Sequence, residues 1–259
     1  LILVLALIGN LLVLIIIYGK KTKRKTPHDA LIANLSIADI SLVLSGLVTD
    51  YTGIPKSQIF CSVFYPLNTV TFFMSMFILA TMADMRRRLI LNPYKPKPTT
   101  RSVWITVFCL WFVSVLIVIP YVLVLRPTED GLACYEQWPS DPLNQAYTLA
   151  LTVIMYAIPI TIIGVSYAKI VRYMRKHVRN VQGMFHVTRR EDHEVMRALL
   201  LLVFLYTLLS LPLHIAWILL EVFDVKRAGD MLQYSNILVY LQSCCNPFVY
   251  GVITTRFRR

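Results

Sequence analysis

Seven long apolar runs alternate with short polar segments along this chain, at roughly 1–18, 30–48, 63–82, 103–125, 146–167, 198–220 and 237–253. Each approaches the ~20 apolar residues that a helix needs to cross a bilayer. The runs are continuous rather than strictly alternating, and longer than the ~9–11 residues of a barrel strand. The pattern predicts an all-α membrane protein, a seven-transmembrane helix bundle. The first run is not a secretory signal, because a signal's basic region precedes its apolar core, and here Lys20, Lys21, Lys23, Arg24 and Lys25 follow it. Residues 1–259 are expected to form one domain, with both terminal segments truncated, since the chain opens on Leu1 rather than Met.

Composition agrees: 57% of residues are hydrophobic and 15% charged, against about 45–50% and about 25% in soluble domains. The net charge of +12 would suit nucleic acid, but its distribution does not. Of 26 lysines and arginines, all but Lys56, Arg126, Lys226 and Arg227 lie in the loops after spans one, three and five or in the tail. An excess of cations marks the cytoplasmic side. With seven spans, the N-terminus is then outside and the C-terminus cytoplasmic. The opposite loops carry Asp50, Glu129, Asp130, Glu136, Asp141, Glu221, Asp224 and Asp230. That acidic mouth either attracts a cationic ligand or only solvates the loop tips.

Cys61 and Cys134 both fall on the outer, oxidising side, where a disulfide is the natural pairing. Cys109, Cys244 and Cys245 lie inside spans as small packing residues. Pro120, Pro159, Pro212 and Pro247 interrupt the last four spans, and each removes a backbone donor and kinks its helix. Asp39 is the one charge well inside a span. A buried aspartate there is costly and is expected to face the bundle interior. Asn10, Asn34, Ser36, Ser75, Ser243 and Asn246 are its candidate companions. Hydroxyls, amides and a carboxylate suit a hard cation such as sodium, with Asp39 and Ser75 as metal ligands; the alternative is a protonated acid in a structural hydrogen-bond network. No nucleophile–base pair, phosphate loop or paired carboxylates appear, so an enzyme is not expected and no cofactor beyond sodium is implied.

These residues, in this order, resemble the rhodopsin-like (class A) G-protein-coupled receptors over essentially the whole chain. Gly9-Asn10 resembles the first-helix motif, and Leu35-Ser36-Ile37-Ala38-Asp39 the second, with Asp39 as the sodium-site acid beside Asn10, Ser75 and Asn246. Cys61 and Cys134 match the family disulfide, Trp111 the fourth helix, Pro159 and Tyr167 the fifth, and Pro212 the sixth. Asn246-Pro247-Phe248-Val249-Tyr250 matches the seventh-helix motif intact. The resemblance implies a plasma-membrane receptor whose activation switch comprises Arg86, Asp192, Tyr167, Tyr206, Pro212, Pro247 and Tyr250, and whose inner face engages a heterotrimeric G protein. The basic inner loops would contact that partner or anionic membrane lipid; no nucleic-acid partner is implied.

Two motifs depart. The family's Asp-Arg-Tyr is Met85-Arg86-Arg87 here, and Asp84 lies about 200° around the helix from Arg86. Asp192 is left as the acid expected to hold Arg86, which implies raised basal signalling unless Met85 merely faces lipid. The family's Cys-Trp-x-Pro is Leu209-Ser210-Leu211-Pro212, so the usual tryptophan trigger is absent, with Tyr206 where phenylalanine is usual. An amine receptor's acid is replaced by Asn68, and an opsin's lysine by Tyr240. Cys134-Tyr135-Glu136-Gln137-Trp138-Pro139 and Leu211-Pro212-Leu213-His214-Ile215 resemble peptide receptors of the neuropeptide Y and RFamide type. The resemblance implies an extracellular peptide ligand, with Glu136 and Asp141, and Glu221 and Asp224 beyond them, meeting its cationic end. Tyr65, Asn68, Thr69, His214, Trp217, Gln233 and Tyr240 would line a deeper pocket. A transporter or channel, or a degenerate receptor homologue that no longer signals, is the alternative.

Overall fold

A computed structural model describes residues 1–19, 26–177 and 186–253, and the side chains of 1–19, 26–175 and 196–253. Its helices are α1 (Ile2–Gly19), α2 (Pro27–Gly46), α3 (Gln58–Leu91), α4 (Thr100–Val124), α5 (Asp141–Thr152), α6 (Ile158–His177), α7 (His186–Glu221) and α8 (Ala228–Ile253). A π turn at Leu47–Tyr51 extends α2, and another at Val153–Ala157 joins α5 to α6. The eight helices therefore make seven rods, as the hydropathy pattern predicts.

Polar residues at the water boundary set where the rods begin. Thr26 caps α2 by accepting from the Asp29 amide at 3.3 Å while the Asp29 carboxylate accepts from the Thr26 amide at 2.8 Å. This reciprocal pair satisfies donors that the first turn leaves open, and Pro27 needs no such partner. Ser57 and Thr99 cap α3 and α4 in the same way, accepting from Phe60 and Ser102. The helices outrun the oily stretches: α3 has 34 residues, or about 51 Å at 1.5 Å per residue. Among the described residues six rods are both long and apolar enough to cross a membrane. The seventh, α8, has the length with 26 residues but spends its inward face on Ser235, Gln242, Ser243 and Asn246, all buried.

The second and third rods form the axis of the bundle, with Leu31, Leu35, Phe73, Met76, Leu79 and Met82 in its core. Peripheral rods turn large apolar side chains outward instead, among them Phe108, Phe112, Leu123, Phe204 and Leu208. An exposed apolar surface on this scale needs a lipid cover. Met85 belongs to the core, 7% exposed, so the reading that it faces lipid is corrected. α8 packs between α7 and α1, and the approach to α1 is close. A Cβ on Gly9 would lie 2.9 Å from the Pro247 ring, so only glycine fits there.

At the end of the bundle that the charge pattern assigns to the outside, a two-stranded hairpin, β1 (Leu125–Pro127) and β2 (Cys134–Glu136), pairs Leu125 with Glu136 and Arg126 with Tyr135. The Cys61–Cys134 disulfide joins it to the start of α3. The Lys56 amide donates to the Gly131 carbonyl at 2.8 Å, so the hairpin is held at its tip as well.

Candidate functional site

Beneath this hairpin the outer ends of the rods enclose a cavity of about 540 Å³. α3 supplies Tyr65, Asn68, Thr69 and Phe72; α7 supplies Leu213, His214, Trp217 and Glu221; α8 supplies Asn236 and Tyr240. The hairpin brings Glu136, and α5 brings Asn144 and Tyr147. Seven of the nine pocket residues expected from sequence line it: Tyr65, Asn68, Thr69, Glu136, His214, Trp217 and Tyr240. Asp141 and Gln233 do not, since both are exposed, at the start of α5 and near the start of α8. Asn236, one turn deeper than Gln233, takes the inward place.

The charged lining residues are Asp50, Glu136 and Glu221, with no lysine or arginine among them. Each carboxylate is held. Glu136 accepts from the Trp138 indole at 2.6 Å, which gives the Glu-x-Trp spacing a purpose. Burial pushes the Glu136 carboxyl up to about 7; the Trp138 bond lowers it, and the nearby Glu221 charge adds to the rise. Glu221 accepts from the Asn144 amide. Asp50 accepts from the Tyr240 hydroxyl at 2.6 Å and from Thr49 at 2.9 Å. Tyr240 reaches it by lying on Gly46, where any Cβ would overlap its ring. Lys56 stays outside the lining, donating to the Thr49 carbonyl at 2.6 Å and to the Tyr65 hydroxyl at 3.2 Å. Asn68 is tied into the same wall by Ser45 and Thr49.

A second polar cluster lies at mid-depth. Asp39, fully buried, accepts from Ser75 at 3.0 Å and Ser243 at 3.3 Å on one oxygen and from Asn246 at 2.5 Å on the other. Asn10 does not touch Asp39. It donates to the Ala6 and Ser243 carbonyls at 2.9 and 3.1 Å, leaving its own oxygen buried and unpartnered. Asn34 serves its own helix by donating to the Ala30 carbonyl. One carboxylate, two hydroxyls and a spare amide oxygen are hard donors of low total charge, which fits a monovalent cation with waters. Asn246 presents its N–H₂ to Asp39 in this arrangement, and so steadies the acid rather than offering a ligand oxygen. Among the described residues no group of His, Cys, Asp and Glu is placed to hold a transition metal.

At the inner end Asp84 pairs with Arg87 and Arg88, one turn on along α3, as its angular distance from Arg86 requires. The Tyr167 hydroxyl is buried without a hydrogen-bond partner among the described residues, and the Tyr250 hydroxyl donates to the Met82 sulfur at 3.9 Å. The side chain of Asp192 lies outside the described residues, and with it the Arg86–Asp192 pair expected from sequence. Pro212 and Pro247 sit inside α7 and α8. Tyr206 is fully buried and reaches from α7 to α3, donating to the Phe72 carbonyl at 3.4 Å. Phe72 was not singled out from sequence, although it lies seven residues past Tyr65, on the same face of the helix. Asn144 gave no such signal, because its direction depends on the π turn below it.

The profile of the 7 transmembrane receptor (rhodopsin family) matches residues 9–250. Neuropeptide FF receptor 1 of Rattus norvegicus is 25% identical over 293 residues, covering 100% of this chain and 67% of its own length. Neuropeptide Y receptor type 4 of Mus musculus is 25% identical over 280 residues, covering 99% of this chain and 74% of its own. Galanin receptor type 1 of Homo sapiens is 26% identical over 274 residues, covering 100% and 78%. The match runs from the glycine that seats α1 on Pro247 to the tyrosine that meets Met82, and the chain belongs to the rhodopsin family of seven-transmembrane receptors.

Proposed function

We propose that this receptor binds an extracellular peptide through a cationic residue and passes the event to a heterotrimeric G protein. The carrying observation is the cavity lining, which holds the acids Asp50, Glu136 and Glu221 and no lysine or arginine. A guanidinium or ammonium entering there meets carboxylates already held by donors and no competing cation. Relatives named for neuropeptide FF, neuropeptide Y and galanin support a peptide as the carrier of that charge.

The chain is a multi-pass membrane receptor and not an enzyme. Its N-terminus faces outward in this reading, which puts the acidic cavity outside and the basic loops within reach of G protein and anionic lipid. Binding shifts the population between two arrangements of the rods. α7 swings at Pro212, and Arg86, Tyr167 and Tyr250 regroup to open the inner face. Asp39, Ser75 and the unpartnered Asn10 oxygen would hold a sodium ion that favours the resting arrangement; the ion supplies only charge balance for a carboxylate buried in the bundle.

The test is nucleotide exchange on G protein in membranes holding the full receptor. Neuropeptide FF, neuropeptide Y, galanin and somatostatin are each compared with analogues in which citrulline or acetyl-lysine replaces the basic residues. At least one parent peptide is expected to stimulate exchange, with its neutral analogue at least tenfold weaker. Silence of all four, or equal potency of parent and analogue, overturns the reading.

A further inference from the structure

We propose that Lys56 selects the charge of the ligand, neutralising one wall of the cavity from behind so that Glu136 and Glu221 take a single cation and Asp50 refuses a second. This rests on the receptor reading above and deepens it by naming a specificity-determining residue. The loop that joins α2 to α3 is inverted relative to ordinary burial. From 53 to 59 every residue is exposed except Lys56, and those turned out include Ile54 and Ile59. A lysine tucked in while isoleucines face out runs against the usual order of burial, and calls for a reason.

The contacts of the ammonium supply it. Lys56 Nζ donates to the Thr49 carbonyl at 2.6 Å and the Tyr65 hydroxyl at 3.2 Å. It also lies 5.6 Å from the Phe60 ring centroid and 5.5 Å from that of Tyr65. Two oxygens and two ring faces hold a flexible side chain in one place. The Lys56 amide is bonded to the hairpin at Gly131, so the stem is anchored too. Among the described residues no carboxylate forms an ion pair with Lys56, and its charge is left to act on the wall. Thr49 joins that charge to the cavity: its carbonyl accepts from Lys56, and its hydroxyl donates to the adjacent Asp50 at 2.9 Å. Opposite charges this near in a part-buried wall offset each other for anything arriving from the cavity.

The other two acids have no such companion. Glu136 and Glu221 are held by the Trp138 indole and the Asn144 amide, both neutral donors. The Glu221 charge acts on Glu136, so these two share one region. The remaining outer cations turn elsewhere: Arg126 donates to the Leu125 carbonyl at 2.8 Å, and Lys226 and Arg227 are exposed. The cavity is therefore polarised, with an offset wall along α2 and α3 and a negative region where the hairpin meets α5 and α7. One ligand cation settles at the negative region. A second one directed at Asp50 meets the Lys56 charge, and such like-charge repulsion is how a site refuses a near relative of its ligand.

The test measures binding to the full receptor of acetylated dipeptide amides that share one shape and differ in charge: arginyl-citrulline, arginyl-arginine and citrullyl-citrulline. In the native receptor arginyl-citrulline is expected to bind at least tenfold tighter than citrullyl-citrulline, and arginyl-arginine to gain less than threefold over arginyl-citrulline. Lys56→Gln keeps donors for Thr49 and Tyr65. It should raise arginyl-arginine affinity at least tenfold and leave arginyl-citrulline within threefold of native. Lys56→Arg should retain the native preference, and adding Asp50→Asn to Lys56→Gln should abolish the gain. A tenfold native preference for the double charge, an unchanged ratio in Lys56→Gln, or a gain surviving Asp50→Asn overturns the proposal. Loss of all binding in Lys56→Gln overturns it as well, since Lys56 would then be a strut of the loop. Equal native binding of arginyl-citrulline and citrullyl-citrulline overturns the underlying cation reading instead, so the two fail separately.

Discussion

The two polar regions of this bundle are built on opposite plans. Around Asp39 the acid itself is closed off, since both carboxylate oxygens accept from side chains of neighbouring rods and burial is complete, and of its companions the Asn10 oxygen is left unpartnered. Around the outer cavity the acids are held, yet acceptors and rings are left open, His214 Nε2 and Asn144 Oδ1 among them. A closed network fixes how rods sit against each other, because removing one partner strands the rest. An open one waits for a ligand to complete it. The family motifs are intact around the closed cluster, whereas the Met85 and Ser210 departures fall on the inner end of α3 and beneath the cavity.

The comparison can be broken from the outside first. Cys61→Ser frees the hairpin that positions Glu136, and loss of a disulfide closing so long a loop costs about 2–4 kcal/mol. Thermal unfolding should show a large drop in stability, and response to a cationic peptide should vanish; normal response at normal surface level would refute the hairpin's role. Next comes the closed cluster. Asp39→Ala leaves two hydroxyls and an amide without their acceptor, at about 1–3 kcal/mol for each stranded group. Asp39→Asn should cost less, because it keeps an acceptor. Melting of the detergent-solubilised receptor ranks the two, and the sodium dependence of agonist affinity should disappear in both.

A smaller effect sharpens the difference without altering a fold contact. Burial pushes the Glu136 carboxyl up to about 7, and a bound cation favours its ionised form. Agonist affinity is therefore full above that value and falls as pH drops through it, by about tenfold between about pH 8 and about pH 6. Glu136→Gln should flatten this profile, and a slope that persists would assign the titration elsewhere. The smallest expected change is at the inner end. Met85→Asp places an acid beside Arg86 at a buried position, and a net gain of about 1 kcal/mol for the resting arrangement should lower ligand-free nucleotide exchange by about fivefold. Unchanged basal exchange would show that Met85 does not set the resting balance.

The seven rods were legible in hydropathy because lipid imposes it, but hydropathy marks only the oily part. It placed the third rod at 63–82, whereas α3 runs Gln58–Leu91, since caps such as Ser57 and the arginines at the inner end carry the helix into water. Pro66 lies inside α3 without ending it. In the site, residues on one face of a regular helix were readable: Tyr65, Asn68 and Thr69, or His214 and Trp217. Partners across rods were not. Nothing local says that Tyr240 reaches Asp50 over Gly46, or that Ser45 and Thr49 hold Asn68. The sequence points to Gln233, whereas Asn236, one turn on, lines the cavity, because the sequence does not mark where that helix starts.

The π turn at Val153–Ala157 fits an extra residue into one turn of the fifth rod, swinging everything above it by about 100° relative to the part below. The outer half that presents Asn144 and Tyr147 is thereby uncoupled in azimuth from the inner half that presents Tyr167. Deleting a single residue from this turn would rotate a new set of side chains toward the ligand while leaving the G-protein end in register, a route by which specificity can drift without disturbing output.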